Sequence, residues 1–147
     1  MCVIIDANQL GDFVVLNTNQ SSKDGMERLH KWILTRGKVV YPQFGKYAEE
    51  IAGNSKAVGM LTRYKRANRA TAPRRQELDD AMREFAKKDI KSNDVHILAA
   101  AKASHATLLC TKDHDLMDDF KRLIHNGKIY PNSERAQKRV LRESTCP

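Results

Sequence analysis

The sequence lacks any apolar run that approaches the roughly 18 consecutive residues of a transmembrane helix. Its first ten residues, MCVIIDANQL, also lack the basic segment and the small-residue cleavage site of a signal peptide. Cysteine is scarce, and the three cysteines do not have the spacing of a metal site, so we expect small buried side chains that are neither metal ligands nor disulfide partners. No segment is of low complexity. These absences argue against a membrane protein and predict a cytoplasmic one.

Positive charge is the most prominent property of the composition. The 147 residues include 26 Lys and Arg against 18 Asp and Glu, which gives a net charge of +8. A hydrophobic content of 41% suits one compact domain over residues 1–147. Phosphate contacts supply most non-specific affinity for nucleic acids, so the charge favours a nucleic-acid partner, and a merely basic soluble protein is the alternative.

Short β-branched runs alternate with helical patterns. CVIID, KVVY and TLLC are typical of strands buried on both faces, and a short run at Lys128–Tyr130 is expected at a sheet edge. The alternation predicts a three-layer α/β/α fold with a central parallel sheet of about four to five strands and right-handed crossovers. A basic helical tail is expected at about residues 133–147. The apolar stripes of the predicted helices are Met26, Leu29, Ile33 and Leu34; Phe44, Ala48 and Ile51; Val58, Leu61 and Tyr64; and Leu78, Met82, Phe85 and Ala86.

Acidic residues follow two of the predicted strands. Asp6 ends the first strand, and Asp113 and Asp115 follow TLLC with only two residues between the strand and Asp113. Ligands of open α/β sheets bind outside the carboxyl ends of the strands. The three carboxylates are therefore expected at one edge of the sheet.

Asp94 reaches the same edge at the start of a helix, in the segment KSNDVHILAAAKA. Ser92 or Asn93 is a good N-cap, which places Asp94 in the first turn, three and four residues before Ile97 and Leu98. Those two side chains must face the core. Asp94 is thus expected above the buried stripe, next to the strand ends.

Carboxylates packed within about 4–6 Å repel one another, and burial without partners destabilises each charge by several kcal/mol. A divalent cation removes this conflict, and hard oxygen ligands suit Mg²⁺ or Mn²⁺. Each acid also has a purely structural explanation. Asp113 can serve as an N-cap, and Asp94 and Asp115 can serve as favourable first-turn charges.

Three motifs together resemble the PIN-domain family of metal-dependent nucleases. They are IIDAN at the end of the first strand, SNDVHILAAA at the start of a helix, and LLCTKDHDL after the following strand, in the family's order and over nearly the whole chain. The resemblance implies that Asp6, Asp94 and Asp113 are metal-binding acids. It implies supporting roles for Asn8, two residues after Asp6, and for Thr111, the hydroxyl before Asp113.

The resemblance implies two further acidic positions. Asp115 matches an additional acid often found after the last central strand. The remaining family acid comes from the helix after the second strand, where PQFGKYAEEIAG offers Glu49 and Glu50. Glu50 is favoured because an aliphatic residue, Ile51, follows it, and Glu49 stays open.

The function implied by the resemblance is a small endoribonuclease that holds one or two Mg²⁺ or Mn²⁺ ions and leaves 5′-phosphate and 3′-hydroxyl ends. Free-standing members of this family are often toxins held inactive by an antitoxin protein, whereas others process ribosomal RNA, and the sequence leaves both roles open. The main alternative is a non-catalytic RNA-binding protein of the same fold.

Two basic segments accompany the acids. The stretch Arg63–Arg75 contains no acid and is expected either to contact RNA phosphates beside the acidic pocket or to be a solvated loop. SERAQKRVLR, near the end, either binds RNA, packs in a homodimer or keeps the tail soluble. The histidines at positions 96, 105 and 114 are expected at the surface or at helix ends. The basic residues expected to contact RNA are Arg63, Lys65, Arg66, Arg69, Arg74 and Arg75.

Overall fold

Strands and helices alternate along the part of the chain that the computed structural model describes, which is residues 2–15 and 25–143, without the side chains of residues 12–15. Residues 144–147 of the expected tail lie outside the described residues. The elements are β1 (Cys2–Ile5), α1 (Ala7–Val15), α2 (Met26–Thr35), β2 (Lys38–Val40), α3 (Gly45–Ala52), α4 (Ser55–Arg66), β3 (Ala70–Thr71), α5 (Arg75–Phe85), α6 (Val95–Ala103), β4 (Leu108–Cys110), α7 (His114–Leu123), β5 (Lys128–Ile129) and α8 (Glu134–Arg142).

The five strands form one parallel sheet in the order β3-β2-β1-β4-β5. β1 lies at the centre, where Val3 is in register with Val39 of β2 and with Leu108 of β4. The order reverses direction after β3, so right-handed crossovers put helices on both faces of the sheet. The predicted three-layer α/β/α fold is confirmed. The expected edge strand is also present, as β5.

One strand is not predicted by any sequence pattern. β3 consists of Ala70 and Thr71 alone, which pair with Val39 and Val40 of β2. These two residues lie inside the basic stretch, which was expected either to contact RNA or to be a solvated loop. Two residues are too few to produce a β-branched run. Only the tertiary pairing identifies this strand.

The core is built from the four residues of β1 and the inner faces of the helices, and β1 and β4 are buried throughout. Three of the predicted helical stripes are wrong at one or two members, because Leu34, Phe44, Met82 and Ala86 are exposed. Cys2 and Cys110 are buried as expected, but Cys2 is disulfide-bonded, which corrects the prediction that no cysteine forms a bridge; Cys146 lies outside the described residues. None of the described helices combines the length and the apolarity needed to cross a membrane.

Candidate metal centre

Asp6 leaves the carboxyl end of β1 and is almost completely buried, with 4% of its surface exposed. Its Oδ2 accepts a hydrogen bond of 2.8 Å from the Thr111 hydroxyl, and its Oδ1 accepts a 3.2 Å bond from the backbone N–H of Asn8. The Asp6 backbone N–H donates to the carbonyl of Cys110 at 2.9 Å. These contacts fix the carboxylate across the ends of β1 and β4.

Asp113 follows β4 on the same edge. Its backbone N–H donates to the Thr111 Oγ1 at 3.1 Å, and its carboxylate accepts a 3.1 Å bond from the N–H of Leu116. Asp113 is therefore the N-cap of α7, so its Oδ1 has the capping role that was the structural alternative to metal binding. The residue is exposed, and its charge acts on Asp94 as described below.

Asp94 is itself the N-cap of α6, which begins at Val95, one to two positions later than a cap at Ser92 or Asn93 predicted. Its side chain forms no capping hydrogen bond, although this residue type usually does so in that position. Burial raises the pKa of Asp94, and the negative charges of Asp6, Asp113 and Glu50 raise it further, whereas His96 opposes these effects in part. Acids from three other segments of the chain thus act on Asp94.

The loop before Asp94 is held by a carboxylate that no sequence motif marks. Asp119 is fully buried in α7 and accepts hydrogen bonds from the backbone N–H groups of Lys91 at 3.1 Å and Ser92 at 2.8 Å. Arg122 donates to the same carboxylate at 3.0 Å. Burial alone raises the pKa of Asp119, but these hydrogen bonds outweigh it and lower the pKa overall.

Glu50 reaches the edge from α3. Its Oε2 lies 3.0 Å from Nε2 of His96, and its Oε1 lies 3.8 Å from the Lys46 ammonium. α3 is itself fixed to the sheet by Tyr47, whose buried hydroxyl donates a 2.8 Å hydrogen bond to the carbonyl of Ile5. Burial raises the pKa of Tyr47 well above its usual value, and the charges of Asp6 and Glu50 add to the rise, so the hydroxyl remains a donor.

His96 lies at a helix end, which is one of the two expected alternatives, but it is buried and not at the surface. The side chain is 5% exposed, and its Nδ1 has no hydrogen-bond partner among the described residues. One signal in the sequence pointed to this burial: α6 is apolar over Ile97–Ala101, and all of those positions are buried, so a histidine at its start has little access to solvent. His105 and His114 are exposed, His105 just after the end of α6 and His114 as the first residue of α7.

Glu50, Asp94 and His96 each offer one ligand atom, and these three atoms lie within 4.8 Å of one another. Two ligands that bind one ion at about 2.1 Å in cis octahedral positions are about 3.0 Å apart. The Glu50–His96 distance therefore suits either a hydrogen bond or two ligands of one ion.

The donor set fits a divalent cation. Asp94 and Glu50 supply the hard oxygen ligands that Mg²⁺ and Mn²⁺ prefer, with the charges of Asp6 and Asp113 close by. An imidazole nitrogen is a softer ligand, which favours a transition metal such as Mn²⁺ over Mg²⁺. The pKa of Asp94 is raised first by burial and then by the neighbouring carboxylates, and a bound cation would oppose both effects.

Three other predicted residues lie apart from this group. Glu49 and Asp115 are exposed and form no hydrogen bond or ion pair that the structure describes. Asn8 is exposed, and its backbone N–H is the group that contacts Asp6.

The basic stretch is divided between opposite edges of the sheet by β3. Because β3 is parallel to the other strands, the last turn of α4 and Arg69, which lead into β3, lie towards the amino edge, and the residues directly after Thr71 lie towards the carboxyl edge. Arg74 and Arg75 are thus on the side of the acids, with Arg75 over the Phe44 ring at 5.3 Å. The other four, which we expected beside the acidic pocket, are on the far side: Arg63, Lys65, Arg66 and Arg69.

Comparison with known proteins adds no relative: no family model, no curated protein and no solved structure matches this chain.

Proposed function

We propose that this protein is a metal-dependent endoribonuclease that hydrolyses RNA phosphodiester bonds to 5′-phosphate and 3′-hydroxyl ends. The observation that carries the proposal is the group formed by Glu50, Asp94 and His96, whose ligand atoms lie within 4.8 Å of one another. The charges of Asp6 and Asp113 act on Asp94, a member of this group. The resemblance of the three sequence motifs to PIN domains supports the same chemistry.

Asp94 and Glu50 would hold the cation, with His96 beside them and with Asp6 and Asp113 completing the negative charge of the centre. A bound Mg²⁺ or Mn²⁺ ion supplies an activated water and neutralises charge on the scissile phosphate. The protein's own contribution is positional. Thr111 and the Asn8 backbone orient Asp6, and Asp119 fixes the loop that leads into Asp94.

Cations at the carboxyl edge would bring the RNA backbone to this acidic group. Lys46 lies against Glu50, and Arg74 and Arg75 follow β3 on the same side of the sheet. The net charge of +8 attracts the polyanion over a longer range. Of the two biological roles that the resemblance implies, the antitoxin-controlled one predicts growth arrest on expression that a co-expressed protein partner relieves.

The decisive experiment is RNA cleavage by the purified protein with Mg²⁺, with Mn²⁺ and with EDTA. The matched pair of variants is Asp94→Asn and Asp118→Asn, of which the second changes an exposed acid of α7 outside the site. We expect cleavage with either cation, none with EDTA, and loss only in Asp94→Asn. Cleavage that survives both EDTA and Asp94→Asn would contradict the proposal, and tight, salt-sensitive RNA binding without cleavage would favour a non-catalytic RNA-binding protein.

A further inference from the structure

Large apolar side chains are exposed at three positions of the described chain, which are Leu34, Phe44 and Met82, at 45%, 43% and 36%. Two of the three line one cavity of about 280 Å³ between α3, α5 and α6. Exposed apolar surface carries a risk of aggregation, so its concentration at one cavity indicates a binding site. Leu34, on α2, does not line this cavity.

The cavity adjoins the metal centre. Lys46 and His96 line it, and the same two residues contact the Glu50 carboxylate. An occupant of the cavity would therefore lie one side chain away from the acids.

Phe44 forms one wall of the cavity, and Arg75 lies over its ring at 5.3 Å from the centroid. Gly45 follows with a φ of 79°, a left-handed conformation that lets the chain turn into α3 directly after Phe44. Asp79, also in the lining, offers a carboxylate acceptor. The cavity thus combines an aromatic face, a guanidinium plane, a second cation in Lys46 and one acceptor.

We propose that this cavity binds an unpaired nucleobase of the RNA substrate, next to the phosphate held at the metal centre. Single-stranded RNA is recognised by stacking of splayed bases on aromatic rings and on arginine planes. A small, largely apolar cavity suits one flat ring system, and Asp79 is placed to accept from an exocyclic amino group. Lys46 and Arg75 complement the flanking phosphates, which favours RNA over an apolar protein segment as the occupant.

This inference rests on the proposed nuclease function and narrows its substrate to single-stranded RNA. Duplex RNA presents no free base to the cavity. The selectivity for unpaired RNA would thus come from Phe44 and Arg75, separately from the acids that hold the cation.

The test uses the full chain with Asp94→Asn, so that bound RNA stays intact. Phe44→Trp keeps an aromatic platform and adds a fluorophore at the cavity, and Leu34→Trp puts the same fluorophore on exposed surface elsewhere. The natural Trp32 is buried and gives a constant background. On titration with a short single-stranded RNA, we expect quenching in Phe44→Trp and no quenching in Leu34→Trp.

Phe44→Ala should weaken the binding of single-stranded RNA by roughly 5- to 150-fold, the range of one lost base–aromatic stack. The binding of duplex RNA and of inorganic polyphosphate should not change. Leu34→Ala should bind all three probes as the parent does. Unchanged Trp emission at saturating RNA, together with normal affinity of Phe44→Ala, would overturn the inference and assign the cavity to another class of ligand.

The two proposals fail separately. The first case is quenching of Phe44→Trp by single-stranded RNA while the parent protein, with Asp94 unchanged, shows no metal-dependent cleavage. This result would support the base pocket and contradict the nuclease. Metal-dependent cleavage of single-stranded and duplex RNA at equal rates, unaffected by Phe44→Ala, would support the nuclease and overturn the base pocket.

Discussion

The imidazole Nε2 of His96 lies 3.0 Å from the carboxylate Oε2 of Glu50, and this contact joins the start of α6 to α3 beside the ends of the central strands. The histidine is buried and the glutamate is partly exposed, so the pair lies where solvent meets the core. The contact fixes the direction of a flexible glutamate towards Asp94.

Removal of this imidazole should weaken cation binding. We expect His96→Ala to lower the affinity for Mn²⁺ by about 10–100-fold, as for other groups that orient metal ligands, and to lower cleavage with it. His96→Gln keeps a donor for Glu50 and should recover part of the loss. Mn²⁺ binding followed by electron paramagnetic resonance gives a readout independent of RNA, and His125→Ala, at an exposed position, is the control. Full Mn²⁺ affinity in His96→Ala would mean that the imidazole has only a packing role.

The two neighbouring glutamates of α3 should differ in effect. Glu50→Gln removes a charge that acts on Asp94, and we expect near-background cleavage. Glu49→Gln changes an exposed side chain without a described partner and should cleave as the parent does. Initial rates under single-turnover conditions compare the pair, and full activity of Glu50→Gln would remove this residue from the site.

The raised pKa of Asp94 predicts how stability depends on pH in metal-free protein. The folded state holds this proton more tightly than the unfolded chain, whose pKa is near 3.8. The stabilisation is therefore complete below that value and is lost as the pH rises through the raised folded-state pKa. Asp94→Asn cannot ionise, so it should gain stability relative to the parent as the pH rises.

Urea denaturation in EDTA at several pH values measures that difference in the free energy of unfolding. Added Mn²⁺ should then stabilise the parent more than Asp94→Asn, since a ligand of the folded state raises its stability by an amount that grows with the logarithm of the affinity. A difference between the two proteins that stays constant over the whole pH range would mean that folding does not raise the pKa of Asp94.

Asp119 should matter for stability and, through the loop that it holds, for cation affinity. Asp119→Asn places an amide among backbone N–H donors in a fully buried position and should cost about 2 kcal/mol of unfolding free energy. Because the pKa of Asp119 is lowered, its stabilisation is present above the unfolded-state pKa and is lost as the pH falls through the folded-state value. Asp118→Asn, at an exposed neighbour paired with Lys91, should change stability by about 0.5 kcal/mol or less.

The division of the basic stretch by β3 predicts unequal contributions to RNA binding. Arg74→Ala and Arg75→Ala should each reduce the salt dependence of binding, by about 0.7 in the slope of log K against log salt for each lost contact with a single strand. Arg63 and Arg66 lie towards the opposite edge, so Arg63→Ala and Arg66→Ala should leave the slope unchanged. Equal effects of all four would show that RNA wraps around both edges.

The parallel sheet is predictable from the sequence because buried strands of β-branched residues have a recognisable pattern, as in CVIID. The position of Asp6 and Asp113 at one edge is predictable because strand ends in a parallel sheet share an edge. β3 is not predictable, because its two residues are defined only by the strand with which they pair. The helix-end position of His96 was expected, but its burial was not, because a polar residue at a helix start has two environments and only the packing of α3 against α6 decides between them.

The long-range pairing of β1 has a consequence for the timing of synthesis. Asp6 and its partner Thr111 are 105 residues apart in sequence, and β1 gains its second neighbouring strand only with β4. On a translating ribosome, Asp6 therefore lacks the Thr111 hydroxyl and the Cys110 carbonyl until residue 111 has emerged. A nascent chain from which Asp113 has not yet emerged cannot assemble the acidic centre, so the proposed nuclease could not attack the message from which it is being translated before that point.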